Sequence, residues 1–159
     1  MRYVEKQVSW KDNWNNIIRD VFFVDTKLRE LMLVPEDCTI IQFIDKYFIE
    51  DENTDELLTE EKVRISYYDS EGRDSGNLHV KNKYKEFDIY VRKDVLHTAT
   101  ADRLQNRYDL IAERLKYLLL KNYHICNMHF ECEDAGFNLF TKMIGYKRFH
   151  IVFSYKTTV

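Results

Sequence analysis

Proline occurs once and glycine four times in 159 residues, so the chain has few positions at which regular structure must break. That scarcity excludes a low-complexity or disordered protein and predicts an almost fully ordered one. Long hydrophobic runs are missing too. The Met-Arg-Tyr-Val-Glu-Lys start lacks the apolar stretch of a secretion signal, and no segment approaches the roughly 18 consecutive apolar residues of a membrane span. The expectation is a protein made in the cytoplasm, with no membrane partner. Cysteine is scarce and odd in number: Cys38, Cys126 and Cys132 cannot all pair, and in a reducing compartment each reads as a small apolar side chain. An excess of positive charge is also absent. With a net charge of −3 and a pI near 6.0, the field of the whole molecule does not draw it to DNA or to an acidic membrane face.

What the chain has is aromatic bulk. Eleven Tyr and ten Phe carry an aromatic share of 14%, within a hydrophobic share of 45%. Such large rigid side chains either fill a core or cover an interface. A chain of this length fits one domain, whose core buries roughly 70% of the unfolded surface. The reading is a single α+β domain in three parts: a helical portion over 1–49, an acidic connector over 50–61, and a sheet with one long helix over 62–159.

In the first part, Ser9 and Asp12 resemble a helix-capping pair, and Trp10, Trp14, Ile17, Ile18, Val21 and Phe22 follow at helical spacing. Asp25 caps a second helix bearing Leu28, Leu31 and Met32, which must stop near Pro35. Thr39 and Gln42 form a capping box for a third helix, with Ile40, Ile41, Ile44, Tyr47 and Phe48 as its apolar face. The connector that follows holds seven acidic residues (Glu50, Asp51, Glu52, Asp55, Glu56, Glu60 and Glu61) and no basic one. It belongs in solvent or against a cationic partner.

Beyond Glu61 the period changes to two. Val63, Ile65 and Tyr67 alternate with polar residues, as do Phe87, Ile89 and Val91, which predicts two paired strands joined by a projecting loop over Asp69 to Asn82. Thr100 or Asp102 starts the longest helix, with Leu104, Tyr108, Ile111, Leu115, Leu118 and Leu119 as its apolar stripe. Arg103, Arg107, Arg114 and Lys121 share one flank of it. Met128, Phe130 and Cys132 lie on one face of a further strand. A break follows at Asp134 to Gly136, and Phe149, Ile151, Phe153 and Tyr155 mark the last strand after Gly145. No repeated βαβ unit demands a parallel sheet, so an antiparallel or mixed sheet of four to five strands packed against the long helix is expected.

Three constellations bear on chemistry. His124, Cys126, His129 and Cys132 carry the donors zinc prefers, but on an extended strand His129 faces away from the other three, and Met128 and Phe130 mark the shared face as core. Neither a metal site nor a reactive thiol is expected there, because a nucleophilic cysteine needs an electropositive, open setting. Asp69, Glu86 and Asp88 loosely resemble the acids of a magnesium-dependent nuclease, yet the lysine expected two residues after the second acid is Tyr90. Solvated strand faces are the simpler reading. No Gly-rich phosphate cradle or Gly-x-Ser-x-Gly elbow is present, so no cofactor and no catalytic residue is expected. The basic flank of the long helix, with Asp51, Asp55, Glu56 and Glu60 as its complement, suits a head-to-tail contact between subunits that closes a ring.

The succession Val63-Arg-Ile-Ser-Tyr-Tyr, Tyr84-Lys-Glu-Phe-Asp-Ile-Tyr-Val, Asp102 to Leu115, and Gly145-Tyr-Lys-Arg-Phe-His-Ile-Val-Phe-Ser-Tyr resembles tailed-bacteriophage neck, tail terminator and head-tail joining proteins. The likeness covers residues 60 to 157 and is one of pattern. It implies a mixed sheet flanked by helices and a homo-oligomeric ring, a hexamer or dodecamer, seated in the virion between portal or adaptor and tail proteins. It also implies an acidic segment facing the DNA channel without sequence-specific binding. A small metal-dependent nuclease, needing Asp69, Glu86 and Asp88 to converge, and a ligand-binding regulatory module are the alternatives.

Overall fold

A computed structural model of the chain describes residues 10–50, 60–70, 80–100, 103–121, 130–133 and 136–158. Its elements are α1 (Trp10–Ile17), widening into a π-helical turn Ile18–Phe22, then α2 (Thr26–Leu31) and α3 (Ile40–Gln42), again continued by a π-helical turn, Phe43–Tyr47. There follow β1 (Phe48–Glu50), β2 (Val63–Ser70), β3 (Val80–Arg92), β4 (His97–Thr100), β5 (Arg103–Asn106), α4 (Arg107–Lys121), β6 (Phe130–Cys132), β7 (Phe137–Leu139) and β8 (Tyr146–Thr158).

The expected α+β class is what the chain adopts. One six-stranded sheet runs β1-β2-β3-β8-β6, with β7 also paired to β8, and β4 and β5 form a separate two-stranded ribbon. β1 lies parallel to β2 and every other pair is antiparallel, so the sheet is mixed. The expected pairing of the Val63 and Phe87 strands occurs, in the register Val63↔Val91 to Ser70↔Tyr84. Both strands outrun their alternating cores, which leaves only residues 71–79 of the expected loop, outside the described residues.

Two boundaries differ from the sequence reading. Phe48 opens β1 instead of closing the third helix, because the helix unwinds after Tyr47 and Phe48 turns extended to pair with Ile65. On that helix Phe43 and Tyr47 are buried while Ile41 and Ile44 face solvent, so its apolar face is rotated from the one expected. The long helix starts at Arg107, five residues after Asp102, and the preceding residues pair as β4 and β5 from His97↔Asn106 to Thr100↔Arg103. Thr98 and Thr100 favour extended backbone, and the Arg107 N–H closes the base of the ribbon on the Leu96 carbonyl at 2.8 Å. Leu104, counted on the helical stripe, is 79% exposed.

Elsewhere the caps act as expected. The Asp25 carboxylate accepts from the Leu28 N–H at 2.9 Å, and Thr39 and Gln42 exchange both capping-box bonds. Ser9 lies outside the described residues. One sheet face is covered by α1, its π-turn and α4, whose Ile111, Ala112, Leu115, Leu118 and Leu119 are buried. Aromatic rings fill that layer. Trp14 lies 5.6 to 6.0 Å from Tyr67, Phe22, Phe87 and Phe130, and Tyr108 stacks on Phe149 at 4.8 Å.

A cation sits inside this apolar layer. Lys85, 1% exposed, points its Nζ at the Trp14 ring from 4.3 Å and at Asp69 Oδ1 from 2.7 Å. Tyr155 donates to the same carboxylate at 3.3 Å. Burial holds the Lys85 pKa below the ordinary lysine value even with Asp69 alongside. The ring face and the carboxylate together replace the water the ammonium has lost. Asp69→Ala is expected to cost about 3 kcal/mol, because it leaves a buried charge uncompensated, and Lys85→Met about 1 kcal/mol, since an apolar chain then fills the space. Urea unfolding of the two variants checks the order.

Candidate functional site

Alternation along β2, β3 and β8 places Arg64, Ser66, Tyr68, Glu86, Asp88, Tyr90, Arg148 and His150 on the face away from the helices. These side chains form a charged layer that is largely buried. His150 Nδ1 lies 2.6 Å from Asp88 Oδ1, its Nε2 lies 3.0 Å from Glu86 Oε1, and Arg148 donates to Asp88 Oδ2 at 2.8 Å. Asp88 is 2% exposed and His150 5%, so the solvated strand face expected for these acids is instead a closed network. Arg64 and Arg148 stand over the Tyr90 ring at 5.1 and 5.9 Å, and Arg64 reaches Met143 Sδ at 3.5 Å.

Both ring nitrogens of His150 face carboxylates, and only the imidazolium can donate to both. Burial alone would lower its pKa, but Asp88 and Glu86 outweigh burial and hold it above the ordinary value of 6.5. Asp88 mirrors this. Burial would raise its pKa, and the bonds from His150 and Arg148 bring it below the usual carboxylate range. With His150 charged the four groups sum to zero, which makes the cluster a clamp between β3 and β8. Neither His150 nitrogen is left over to shuttle a proton.

The acids considered for metal chemistry do not converge. Asp69 lies on the helix-covered face, whereas Glu86 and Asp88 lie on the other. Among the described residues no group of three or more His, Cys, Asp or Glu is arranged to hold a metal ion. His124, Cys126 and His129 fall outside them. Cys38 is buried, its thiol donates to the Thr39 carbonyl at 3.4 Å, and burial raises its pKa.

The basic flank of α4 is engaged within the chain. Arg107 donates to the carbonyls of Val95 and Leu31 at 2.8 and 2.9 Å, and Arg114 makes a two-pronged pair with Asp25 at 2.6 and 2.9 Å. Lys121 is exposed and donates to Tyr117 at 2.7 Å. The side chain of Arg103 lies outside the described residues, as do Asp51, Asp55 and Glu56, while Glu60 is exposed. Arg114 thus locks α4 onto the carboxylate that caps α2.

A surface feature escaped the sequence reading. Between β7 and β8 the chain exposes Phe140 (82%) and Ile144 (98%), with Phe137 (43%) at their base. The turn closes at Gly145, φ 81°, and the Phe137 ring packs edge-on to His150 at 5.4 Å. Gly136, φ 100°, sets the approach of β7, since any Cβ there would strike the Phe149 ring. The available signal was the apolar run Phe-Asn-Leu-Phe-Thr-Lys-Met-Ile, which fits neither period. An open groove of about 490 Å³ lies on a different side, between α4 and the sheet, lined by Asn106, Leu110, Glu113, Cys132, Phe149 and Ile151.

Two consequences are measurable. Asp25→Asn keeps the cap and loses the ion pair, at an expected cost of about 1 kcal/mol, whereas Asp25→Ala loses both and costs about 2 kcal/mol; chemical denaturation separates them. Because the folded pKa of His150 is raised, its contribution is complete below 6.5 and is lost as pH climbs through the folded value. The unfolding temperature is therefore expected to fall as the pH rises above 6.5 through the raised folded value, and the fall to flatten in His150→Asn. Thermal unfolding across that range checks the sign.

A family model, YomW, matches residues 15–155, from within α1 to the end of the apolar face of β8. Comparison with curated proteins gives no match. A match over that span takes in most of the helical layer, nearly all of the sheet and the exposed β7–β8 turn, and on it the chain belongs to the YomW family, a phage-type, Bacillus SPbeta-like family of phage-related proteins.

Proposed function

We propose that this protein is a structural subunit of the phage virion neck or tail, forming a ring that joins capsid and tail or terminates the tail. The observation that carries the reading is the exposed pair Phe140 and Ile144. Large apolar side chains held out on a turn between paired strands lower the solubility of a solitary molecule and suit a surface that a neighbour covers. Membership of a phage-related family supports the setting. Arg107, Arg114, Lys85 and Arg148 are spent on bracing the fold, which fits a subunit that must bear load without deforming. Portal, adaptor and tail proteins of the same virion are the partners this role requires.

A specific observation favours one other reading. The 490 Å³ groove beside α4 mixes Gln105, Asn106, Asp109, Glu113 and Lys116 with Leu110, Phe149 and Ile151, a concave lining that suits a small polar ligand. The two readings part on mass. Light scattering of the purified protein, alone and mixed with neighbouring virion proteins, is expected to give a hexamer or dodecamer in at least one setting. A strict monomer in both settings would remove the ring reading and leave the ligand module.

A further inference from the structure

We infer that the β7–β8 turn of one copy seats in the groove between α4 and the sheet of the next, so that the chain joins itself by a repeated knob-in-groove contact. This rests on the ring reading and names the two surfaces that would build the ring.

Exposure marks both halves. Among the described residues the most exposed large apolar side chains are Ile144 (98%), Phe140 (82%) and Leu104 (79%). The first two stand on the turn, and the third lines the groove together with Leu110. Each surface thus holds apolar area that folding leaves in water, one of them projecting and the other a hollow of about 490 Å³.

The two lie on opposite sides of the sheet. Phe149 and Ile151 of β8 face the helices and line the groove, whereas Arg148 and His150 face the other way. The turn belongs to that other side: Phe137 at its base packs on His150, and its Met143 Sδ lies 3.5 Å from Arg64. Its backbone is braced there, since Arg148 donates to the Phe140 carbonyl at 3.4 Å and the Lys93 N–H to the Gly145 carbonyl at 2.8 Å. Tyr146 adds a bond to the Glu61 carbonyl at 2.6 Å. None of these bonds uses the side chain of Phe140 or Ile144. The apolar pair is therefore held out, with the sheet between it and its own groove, and the groove it can enter is that of another copy.

Charge favours this pairing over the symmetric ones. Lys147 and Lys93 are exposed beside the turn, while Arg92 and Asp94 pair with each other at 2.7 Å. The groove carries two exposed acids, Asp109 and Glu113, against one exposed cation, Lys116. Turn against turn would set lysines on lysines, and groove against groove acids on acids. Turn in groove sets lysines toward acids while it buries Phe140 and Ile144 beside Leu104 and Leu110. Different surfaces that fit each other propagate head to tail and close into a ring where the rotation permits.

The test uses the full chain and two variants. Phe140→Ser with Ile144→Ser blunts the turn, and Leu104→Lys with Glu113→Lys spoils the groove. All four side chains are exposed, so both variants are expected to keep the native circular dichroism. Each alone is expected to associate at least about tenfold more weakly than the native protein. Mixed, the two are expected to give a discrete dimer and no ring, because one intact turn and one intact groove remain between them. Light scattering reads each outcome. Native mass in either variant alone, or no dimer on mixing, overturns the inference while a native ring persists. Dimerisation of the groove variant by itself assigns the turn to a turn-on-turn contact and overturns it as well. Failure of the native protein to assemble in any setting overturns the ring reading with it.

Discussion

Everything in this molecule hangs on the pairing of β3 with β8, two thirteen-residue strands in continuous antiparallel register from Val80↔Thr158 to Arg92↔Tyr146. An alternation of two along such a ladder sorts side chains without exception, so one strand pair delivers Phe87, Ile89, Ile151 and Phe153 to the helices and Glu86, Asp88, Arg148 and His150 to the opposite side. A slip of one strand by one residue would exchange its two sets, putting either Glu86 and Asp88 or Arg148 and His150 against the Trp14 layer. The charged clamp therefore contributes specificity of register as well as energy, since it closes only when Asp88 sits across from His150.

The same logic explains what was legible in the sequence. Trp14, Ile17, Val21 and Phe22 repeat at helical spacing and are buried, and Val63, Ile65 and Tyr67 alternate and pair with the Phe87 strand, because in both places a single period is obeyed and one face is apolar. Caps at Asp25 and Thr39 were readable because they are local, needing only residues three apart. The reading failed where tertiary contacts override local pattern. Leu104 sits at helical spacing from Tyr108 and Ile111, yet the ribbon closed by the Leu96 carbonyl takes it out of the helix. Phe48 continues an apolar helical face, yet pairing with Ile65 draws it into the sheet.

Site residues were less legible than fold, for a physical reason. Charges at Asp88, His150, Arg107 and Arg114 look like ordinary surface charges in one dimension, since composition does not reveal burial, and their partners lie far away in sequence: Leu31 for Arg107, Asp25 for Arg114, His150 for Asp88. The period of two assigns Glu86 and Asp88 to the polar face of their strand but ends the first strand before Asp69, which it places in the projecting loop. Carried one step further, that assignment alone separates the three acids once their strands are known to pair.

The distribution of charge follows from these placements. Lys85, Arg107, Arg114 and Arg148 meet a carboxylate or carbonyl at helix junctions or within the sheet, where leaving them unmatched would cost most. Phe140 and Ile144, by contrast, are not demanded by folding: they lie exposed on the β7–β8 turn and weaken solubility. Among the described residues the rings of Phe22, Phe87, Phe153 and Tyr155 lie inside, whereas Phe140 and Ile144 stand exposed together on a single short turn. Folding supplies no reason for that arrangement, whereas contact with another surface supplies one: the turn stays accessible because β7 is held down at its base by Phe137 against His150, so that the apolar pair is presented by the same clamp that sets the register of the sheet.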